Sequence, residues 1–305
     1  MKKILITGGC GYVGRELVNS LYETHDIYIV DNLSSGVDRL DKLNIKKNKI
    51  YNIDICDEIA VSKLLKSLKP DVIVHLAALH FIPDCEKNPK DAAHTNINGT
   101  INLLANAPEY SKFIFTSSAA VYAPSNKPLT ENSTIGPMDI YGWTKLHGEH
   151  YATYYSKIRD LDLIIVRLFN VIGPGETNPH ILPEIISQIK SNKNSLSLGD
   201  TRSKRDYIDV RDVASAYKIF ISKNLSEEKI INLGTGVTYS VDEMLHELEL
   251  ISLKKLKVVK DPTKIRSSDR PILHANIDKL IKLYNFRPSH KFEQSIRLTY
   301  ETDEL

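Results

Sequence analysis

The sequence has few cysteines, three in 305 residues, and they lie far apart at positions 10, 56 and 85. An odd number of cysteines without a C-x-x-C pair excludes a disulfide framework and the usual cysteine-based metal sites. We therefore expect a reducing compartment and no metal ion.

Long hydrophobic runs are also missing. No stretch approaches the roughly 18 apolar residues that a membrane helix needs. The apolar run at residues 4–6 is far too short for the core of a signal peptide. These absences predict a cytoplasmic protein that does not enter a membrane.

The chain has no excess of charge of one sign, because 40 basic residues face 38 acidic ones for a formal charge of +2. Such a balance gives no overall field that would attract DNA, RNA or an anionic membrane. Any anionic ligand must therefore be bound by a local group of residues.

Short β-branched segments alternate with longer amphipathic segments in the first half. The strand-like segments are apolar on both faces, which is typical of parallel strands covered by helices on both sides. They cover residues 3–6, 27–30, 50–53, 72–74, 113–115 and 163–166, with helices predicted near 12–24, 57–68, 89–107 and 141–158. This alternation predicts an α/β fold with a doubly wound parallel sheet, that is, a Rossmann domain.

After residue 166 the chain has more glycine and proline between its predicted elements. Helices are expected over residues 182–189 and 210–221, and a third after Ser240, because Ser240 and Glu243 have the spacing of a capping box. The second half therefore predicts a smaller α/β lobe.

Glycines at positions 8, 11 and 14 follow the first strand and precede a helix. Without side chains, this loop can approach a pyrophosphate, and the helix N-terminus favours negative charge. An ordinary tight turn is the alternative. The strand and helix on either side favour a dinucleotide site.

Asp31 ends the second strand, about 20 residues beyond the loop. An acidic residue there accepts hydrogen bonds from the adenosine ribose and repels the extra phosphate of NADP, which predicts NAD as the cofactor. A solvated turn residue is the alternative for Asp31.

Tyr141 and Lys145 stand four residues apart within a predicted helix and so share a face. A phenol is a poor base at neutral pH, but the lysine cation and the positive nicotinamide of bound NAD would together favour its phenolate, which is suited to removing a hydroxyl proton. A surface tyrosine beside a solvated lysine would have the same spacing. Ser117 and Ser118 end a predicted parallel strand, where open α/β sheets bind ligands, so Ser118 is expected to bond the substrate hydroxyl beside Tyr141.

Six segments together resemble one known family. They are residues 7–14, 31–33, 96–100, 117–122, the pair Tyr141 and Lys145, and residues 205–208. The chain resembles the extended short-chain dehydrogenase/reductase family, in particular its NAD-dependent nucleotide-sugar epimerases and dehydratases, and most closely the UDP-glucose 4-epimerases. The resemblance extends over nearly the whole chain.

The resemblance implies a role for each matching residue. Ser118, Tyr141 and Lys145 are the expected catalytic residues. The expected cofactor-binding residues are Gly8, Gly11, Tyr12, Val13, Gly14, Asp31, Asn32, Asp54, Ile55, Leu76, Ala77, Ala78, Asn96, Ser117, Tyr141, Lys145 and Phe169. The expected substrate-binding residues are Ser118, Tyr141, Asn170, His180, Arg205 and Arg266, the two arginines for the diphosphate.

The resemblance also implies that the chain forms two domains and that two copies of it form a dimer. Residues 1–169 and 206–232 would form the NAD-binding Rossmann domain, and residues 170–205 and 233–305 the nucleotide-sugar-binding lobe. A homodimer through paired helices is expected, with a nucleotide-diphosphate sugar as the substrate.

Three functions, two of them enzymatic, remain open from the sequence. Ala119 and Ala120 stand where the family's dehydratases and decarboxylases carry acidic residues, which favours 4-epimerisation through a transient 4-keto sugar. A nucleotide-sugar reductase or oxidase is the alternative, with a GDP-sugar suggested by residues 266–271. A non-enzymatic dinucleotide sensor is the third, although Tyr141 and Lys145 argue against it. His180 and Ala123 differ from the usual epimerase residues, which leaves the base and the sugar open.

Overall fold

The structure is a computed structural model that describes residues 1–34, 49–176, 178–191, 195–223, 229–264 and 270–302. The chain divides into two compact units. Unit 1 comprises Met1–Ala123, Ile135–Leu168 and Val213–Ile231, and unit 2 comprises Pro124–Thr134, Phe169–Asp212 and Asn232–Leu305. Relative to the division expected from the sequence, unit 2 also takes in residues 124–134, 169, 206–212 and 232.

Unit 1 alternates strands with helices from its first residues. Its elements are β1 (Lys3–Thr7), α1 (Tyr12–Leu21), β2 (Asp26–Asp31), β3 (Ile50–Asn52), α2 (Glu58–Leu68), β4 (Val72–His75), α3 (Ile82–Lys87), α4 (Pro89–Ala93), α5 (Gly99–Asn106), β5 (Lys112–Ser118), α6 (Ile140–Ile158) and β6 (Asp162–Leu168). Together with β10 (Ile230–Leu233), these strands form a sheet in the order β10-β6-β5-β4-β1-β2-β3, and the neighbours from β6 to β3 pair in parallel. This is the predicted doubly wound α/β sheet.

The strands form where the sequence is apolar on both faces. Ile4, Leu5 and Ile6 of β1 are fully buried, as are Phe113 and Phe115 of β5. Strands covered by helices on both sides need apolar side chains in both directions. The unbroken apolar runs of the sequence therefore predict the central strands correctly.

The segment predicted as one helix over residues 89–107 is three pieces. Between α4 and α5, His94–Asn98 form a π-helical turn. The side-chain amide of Asn96 accepts from the Leu79 N–H and donates to the Leu79 carbonyl oxygen. At the next turn, a Cβ on Gly99 would lie 2.5 Å from Ile55. Tertiary contacts thus set the path of the chain here. The helix predicted over 12–24 ends at Leu21.

Unit 2 contains the remaining elements. They are β7 (Asn170–Ile172), α7 (Ile181–Lys190), β8 (Leu196–Leu198), β9 (Lys204–Asp209), the start of α8 (Val210–Ser222), the end of β10 (Ile230–Leu233), β11 (Thr238–Ser240), α9 (Val241–Ser252), β12 (Val258–Lys260), β13 (Ile272–Leu273), α10 (Asp278–Tyr284) and α11 (Phe292–Thr302). Strand β9 pairs with β7, β11 and β13, and β8 pairs with β12.

The helix predicted after Ser240 is confirmed with its cap. Ser240 Oγ accepts from the Glu243 N–H at 3.1 Å, and a Glu243 carboxylate oxygen accepts from the Ser240 N–H at 2.7 Å. Both helix-end donors are thereby satisfied, as a capping box requires. Among the described residues, no helix is long and apolar enough to cross a bilayer.

Candidate active site

The glycine loop lies between β1 and α1. Gly8 has φ +71°, and a Cβ there would lie 2.8 Å from the Ala77 nitrogen. A Cβ on Gly14 would lie 2.2 Å from the Gly8 carbonyl oxygen, which no real side chain tolerates. Gly11 caps α1 without a side-chain bond, and the first turn has no acidic residue. The loop is a backbone cradle at a helix N-terminus, where an anion is stabilised.

Asp31 lies against this cradle. One carboxylate oxygen accepts from the Cys10 N–H at 2.9 Å and the other from the Leu33 N–H at 2.9 Å. Because the first bond reaches into the glycine loop, Asp31 fixes the cradle and the end of β2 together. The expected ribose contact would be made by a carboxylate that is already oriented.

A second carboxylate stands near the first. The Asn32 Nδ2 atom donates to Asp54 at 3.1 Å, and the Cys56 N–H donates to the other Asp54 oxygen at 2.8 Å. Burial of Asp54 works against its charge, but these hydrogen bonds together hold its pKa below the ordinary value. Ile55, between Asp54 and Cys56 in the sequence, is buried against Gly99.

Sequence reasoning missed a buried histidine under the cradle. His75 Nδ1 lies 2.7 Å from Thr7 Oγ1, and His75 Nε2 lies 2.8 Å from Thr100 Oγ1. Burial, aided by the charge of Lys145, lowers the pKa of His75 to about 3. The neutral ring thus ties β1 and β4 to α5. Leu76, Ala77 and Ala78, which follow it, are partly exposed beside the loop.

The three predicted catalytic residues come together at the end of β5. The Tyr141 hydroxyl is hydrogen-bonded to Ser118, whose Oγ also accepts from the Ala120 N–H at 3.1 Å. The Lys145 Nζ donates to the Thr116 carbonyl oxygen at 2.8 Å and lies 5.8 Å from the Tyr141 ring centroid. Asp139 begins the helix by accepting from the Gly142 N–H at 2.7 Å.

The surroundings perturb both titratable groups. Burial raises the pKa of Tyr141 above its ordinary value, and the Ser118 hydrogen bond opposes this rise. Burial lowers the pKa of Lys145 to about 8, and a charge on Cys85 would oppose that shift. The chain by itself therefore disfavours the phenolate, although the sequence predicted that Lys145 would favour it. Strong perturbation of neighbouring groups is typical of active sites.

Asn96 and Ser117 are placed differently within unit 1. The Asn96 Nδ2 atom donates to Thr144 Oγ1 at 2.9 Å, which ties the π-helical turn to α6. The Ser117 hydroxyl donates to Glu149 at 2.5 Å and is buried. Its side chain is thus occupied by a protein partner, and only its backbone remains for the cofactor contact expected from the sequence.

Unit 2 places two of the expected substrate residues on neighbouring strands. Asn170 is exposed at the start of β7, in register with Tyr207 of β9, and Arg205 lies two residues earlier on β9. His180 immediately precedes α7 and is partly exposed, and Phe169 is buried before β7. Arg266 lies outside the described residues.

Asp206, which follows Arg205 on β9, is buried and holds the turn after β10. Its carboxylate accepts from the Thr235 N–H and hydroxyl, both at 2.7 Å, and from the Gly236 N–H at 2.9 Å. Burial raises the pKa of Asp206, and these bonds oppose the rise. No sequence pattern indicated this role, because its partners lie about 30 residues away.

The comparisons with known proteins agree with this geometry. The model of the NAD dependent epimerase/dehydratase family matches residues 4–234. The chain therefore belongs to this family of NAD-dependent sugar-nucleotide enzymes. The glycine cradle, which added Cβ atoms would obstruct, and the ordered Asp31 carboxylate fit the cofactor that the family uses.

The relatives differ from one another in their activities. The chain is 29% identical over 311 residues to a UDP-glucose 4-epimerase of Lactobacillus helveticus, covering 95% of this chain and 93% of that protein. It is 30% identical over 286 residues to a GDP-6-deoxy-D-talose 4-dehydrogenase of Aggregatibacter actinomycetemcomitans, covering 92% and 90%. It is similar to the crystal structure of Thermus thermophilus UDP-glucose 4-epimerase in complex with NAD, with a TM-score of 0.86, 25% identity and 98% of each chain covered.

Proposed function

We propose that the protein is a nucleotide-sugar 4-epimerase of the UDP-glucose/UDP-galactose type. The observation that carries this proposal is the set formed by Ser118, Tyr141 and Lys145, followed by Ala119 and Ala120 in place of acidic residues. Reversible oxidation of one alcohol needs one base and its supports, whereas elimination would need further acid and base groups. The similarity to UDP-glucose 4-epimerases supports the same reaction.

In the proposed reaction Tyr141 removes the proton from the hydroxyl on carbon 4 of the sugar. When held by the glycine loop and Asp31, NAD would supply the acceptor and later the donor for the hydride of that carbon. Ser118 holds the hydroxyl beside Tyr141, and Lys145 supplies a positive charge next to the phenolate. The 4-keto sugar then turns over, so that carbon 4 presents its other face to the returning hydride, which inverts this carbon. Tyr141 returns the proton to the oxygen on carbon 4.

We assign the glycine loop and Asp31 to NAD, with the loop backbone at the pyrophosphate and Asp31 at the ribose. Asn170, His180, Arg205 and Arg266 are assigned to the nucleotide sugar, because arginine forks suit a diphosphate. These roles are proposals that follow the residue types and their positions in the chain.

The test is a panel of UDP-, GDP-, dTDP- and CDP-sugars incubated with the purified protein, followed by identification of the products. We expect UDP-glucose and UDP-galactose to interconvert without added NADH. Tyr141→Phe should abolish turnover, whereas Tyr22→Phe, just after the end of the first helix and bonded to Glu23, should retain it. Full turnover in Tyr141→Phe would remove Tyr141 from the mechanism.

A second candidate is a nucleotide-sugar dehydrogenase or reductase. The similarity to the GDP-6-deoxy-D-talose 4-dehydrogenase supports it. Such an enzyme exchanges its nicotinamide cofactor at each turnover. Strict dependence on added NAD or NADH, with an oxidised or reduced sugar as the product, would favour this candidate over the epimerase.

We also propose the homodimer expected from the sequence. The supporting observation is a row of exposed aromatic and apolar side chains on α6, which includes Trp143, Tyr154 and Ile158 at 48%, 59% and 56% exposure. Large apolar side chains grouped on one helix face favour burial against a partner.

A further inference from the structure

Helix α6 carries a buried glutamate that continues the four-residue spacing of Tyr141 and Lys145. Glu149 follows Lys145 by four residues, as Lys145 follows Tyr141. Residues four apart lie on the same face of a helix. Glu149 is only 4% exposed, so a charged side chain is buried on the face that bears the proposed base.

Both carboxylate oxygens of Glu149 are engaged. Arg167 Nε donates to Oε1 at 2.9 Å, and Arg167 Nη2 donates to Oε2 at 2.7 Å. Ser117 Oγ donates to Oε1 at 2.5 Å. The guanidinium carbon of Arg167 lies 4.7 Å from the ring centroid of Tyr122. A buried pair with this bidentate geometry holds its members in fixed positions.

Three contacts connect α6 to consecutive residues of β5. Lys145 bonds the Thr116 carbonyl, Glu149 bonds the Ser117 hydroxyl, and Tyr141 bonds the Ser118 hydroxyl. The helix also lies very close to the strand, since a Cβ on Gly148 would lie 2.3 Å from the ring of Phe115. The Ser117 hydroxyl links the strand end directly to the ion pair.

We propose that Glu149 is a positioning residue, which holds the end of β5 through Ser117 so that the Ser118 hydroxyl stays aligned with Tyr141. Arg167 lies on β6, in register with Ser117 of β5. Its two hydrogen bonds hold the Glu149 carboxylate in place. The proposal rests on the proposed function in that Tyr141 is the base. It also gives Ser117 a role other than the cofactor contact expected from the sequence.

The test uses Ser117→Ala in the NAD-loaded enzyme, which deletes one hydrogen bond and leaves the ion pair intact. The measurement is the phenol pKa of Tyr141, from the NMR signal of 13Cζ-labelled tyrosine assigned with Tyr141→Phe. Because the Ser118 bond lowers this pKa, we expect it to rise by about one unit. We expect kcat to fall about ten- to a hundredfold, with KM and NAD affinity unchanged.

A matched control is Ser111→Ala, just before the other end of β5. Ser111 is buried, and its hydroxyl donates to the Pro108 carbonyl at 2.6 Å. It should change neither the Tyr141 pKa nor kcat. An equal effect from both serines would indicate general loosening of the strand and overturn the proposal.

A second variant removes the ion pair without leaving one charge buried. Glu149→Gln combined with Arg167→Met avoids the penalty of an unpaired buried charge. It should raise the Tyr141 pKa as much as Ser117→Ala does, and adding Ser117→Ala should cause no further rise. Additive shifts would overturn the proposal.

Two results for Ser117→Ala alone also decide the question. A fall in NAD affinity with an unchanged Tyr141 pKa would make Ser117 a cofactor contact, and no change at all would leave Glu149 without the positioning role. The NMR readout needs no sugar. If the wild-type protein turned over none of the nucleotide sugars, the proposed function would fail while the tyrosine pKa would still test the positioning.

Discussion

The Nζ atom of Lys145 lies 2.8 Å from the backbone carbonyl oxygen of Thr116, two residues before Ser118 on the same strand. Strand β5 therefore carries the Ser118 hydroxyl, which is bonded to Tyr141, and anchors the ammonium group of Lys145 beside the Tyr141 ring. The carbonyl oxygen is a neutral partner, so burial still lowers the pKa of Lys145 to about 8. The protonation of Lys145 consequently changes close to neutral pH.

We predict that kcat/KM falls as the pH rises through about 8, because Lys145 loses the charge that stabilises the Tyr141 phenolate. Lys145→Arg stays protonated, so this descending limb should disappear even though the rate is lower. The measurement is kcat/KM from pH 6 to 10. The matched control, Lys157→Arg on the exposed end of the same helix, should keep the limb. A limb unchanged in Lys145→Arg would assign it to another group.

Two glycines of the loop should fail in different ways. In Gly14→Ala the new Cβ would lie 2.2 Å from the Gly8 oxygen and 2.7 Å from the Gly9 Cα. We therefore expect a loss of stability of a few kcal/mol, measured by urea unfolding without cofactor. In Gly11→Ala the Cβ would meet only the Gly8 oxygen, at 3.3 Å, so the fold should be nearly as stable.

The contrast appears in NAD binding, measured by calorimetry. If the loop backbone approaches the pyrophosphate, the Gly11→Ala methyl group blocks that approach, and we expect NAD affinity to fall at least tenfold. Normal NAD affinity in Gly11→Ala would place the pyrophosphate elsewhere.

Local patterns in the sequence predict the helices, strands and turns. They do not predict which residues pair when the partners are far apart in the chain. The apolar runs, the glycine spacing and the Ser240 capping box are all local and are confirmed as structure. The pairing of Glu149 with Arg167 and of His75 with Thr7 joins residues 18 and 68 positions apart. No periodicity encodes such partners. The π-helical turn was missed for the same reason, since distant Leu79 holds Asn96.

The candidate site shows the same difference between local and long-range information. Residue type and spacing on α6 predicted that Tyr141 and Lys145 share a face, and the end of a parallel strand predicted where Ser118 would lie. The direction of the Tyr141 pKa could not be read from the sequence, because it depends on how completely neighbouring atoms exclude water.

Asp31→Ser should weaken the choice of NAD over NADP. The carboxylate accepts from the Cys10 and Leu33 N–H groups at 2.9 Å, and its charge would repel the 2′-phosphate of NADP. We expect the ratio of NADP to NAD affinity to rise about ten- to a hundredfold. The measurement is titration with both cofactors. Asp57→Ser, at the cap of α2, should leave the ratio unchanged, and an unchanged ratio in Asp31→Ser would contradict the ribose assignment.

The homodimer prediction concerns the exposed face of α6. Ile158→Glu places a charge among exposed apolar side chains, so it should convert a dimer to a monomer, measured by light scattering after gel filtration. Ile59→Glu is the control, because Ile59 is 81% exposed on α2 and should leave the dimer intact. A monomeric wild-type protein would refute the prediction directly.

His75 makes the stability of the fold depend on pH. Its ring is 1% exposed, and its pKa is about 3 in the folded chain against 6.5 as an ordinary value. Between these values the unfolded chain binds more protons, so the free energy of unfolding falls as the pH falls through this window. From pH 7.5 to pH 5 this one group contributes a loss of about 2 kcal/mol.

His75→Gln cannot take up this proton. At pH 7.5 it should be less stable than the wild type by about 1–3 kcal/mol, because the bonds to Thr7 and Thr100 are disturbed. At pH 5 the difference should shrink by about 2 kcal/mol, as only the wild type pays the protonation penalty. Urea unfolding at both pH values measures this, with exposed His147→Gln as the control. A difference that stays constant with pH would mean that His75 accepts its proton without opening the fold.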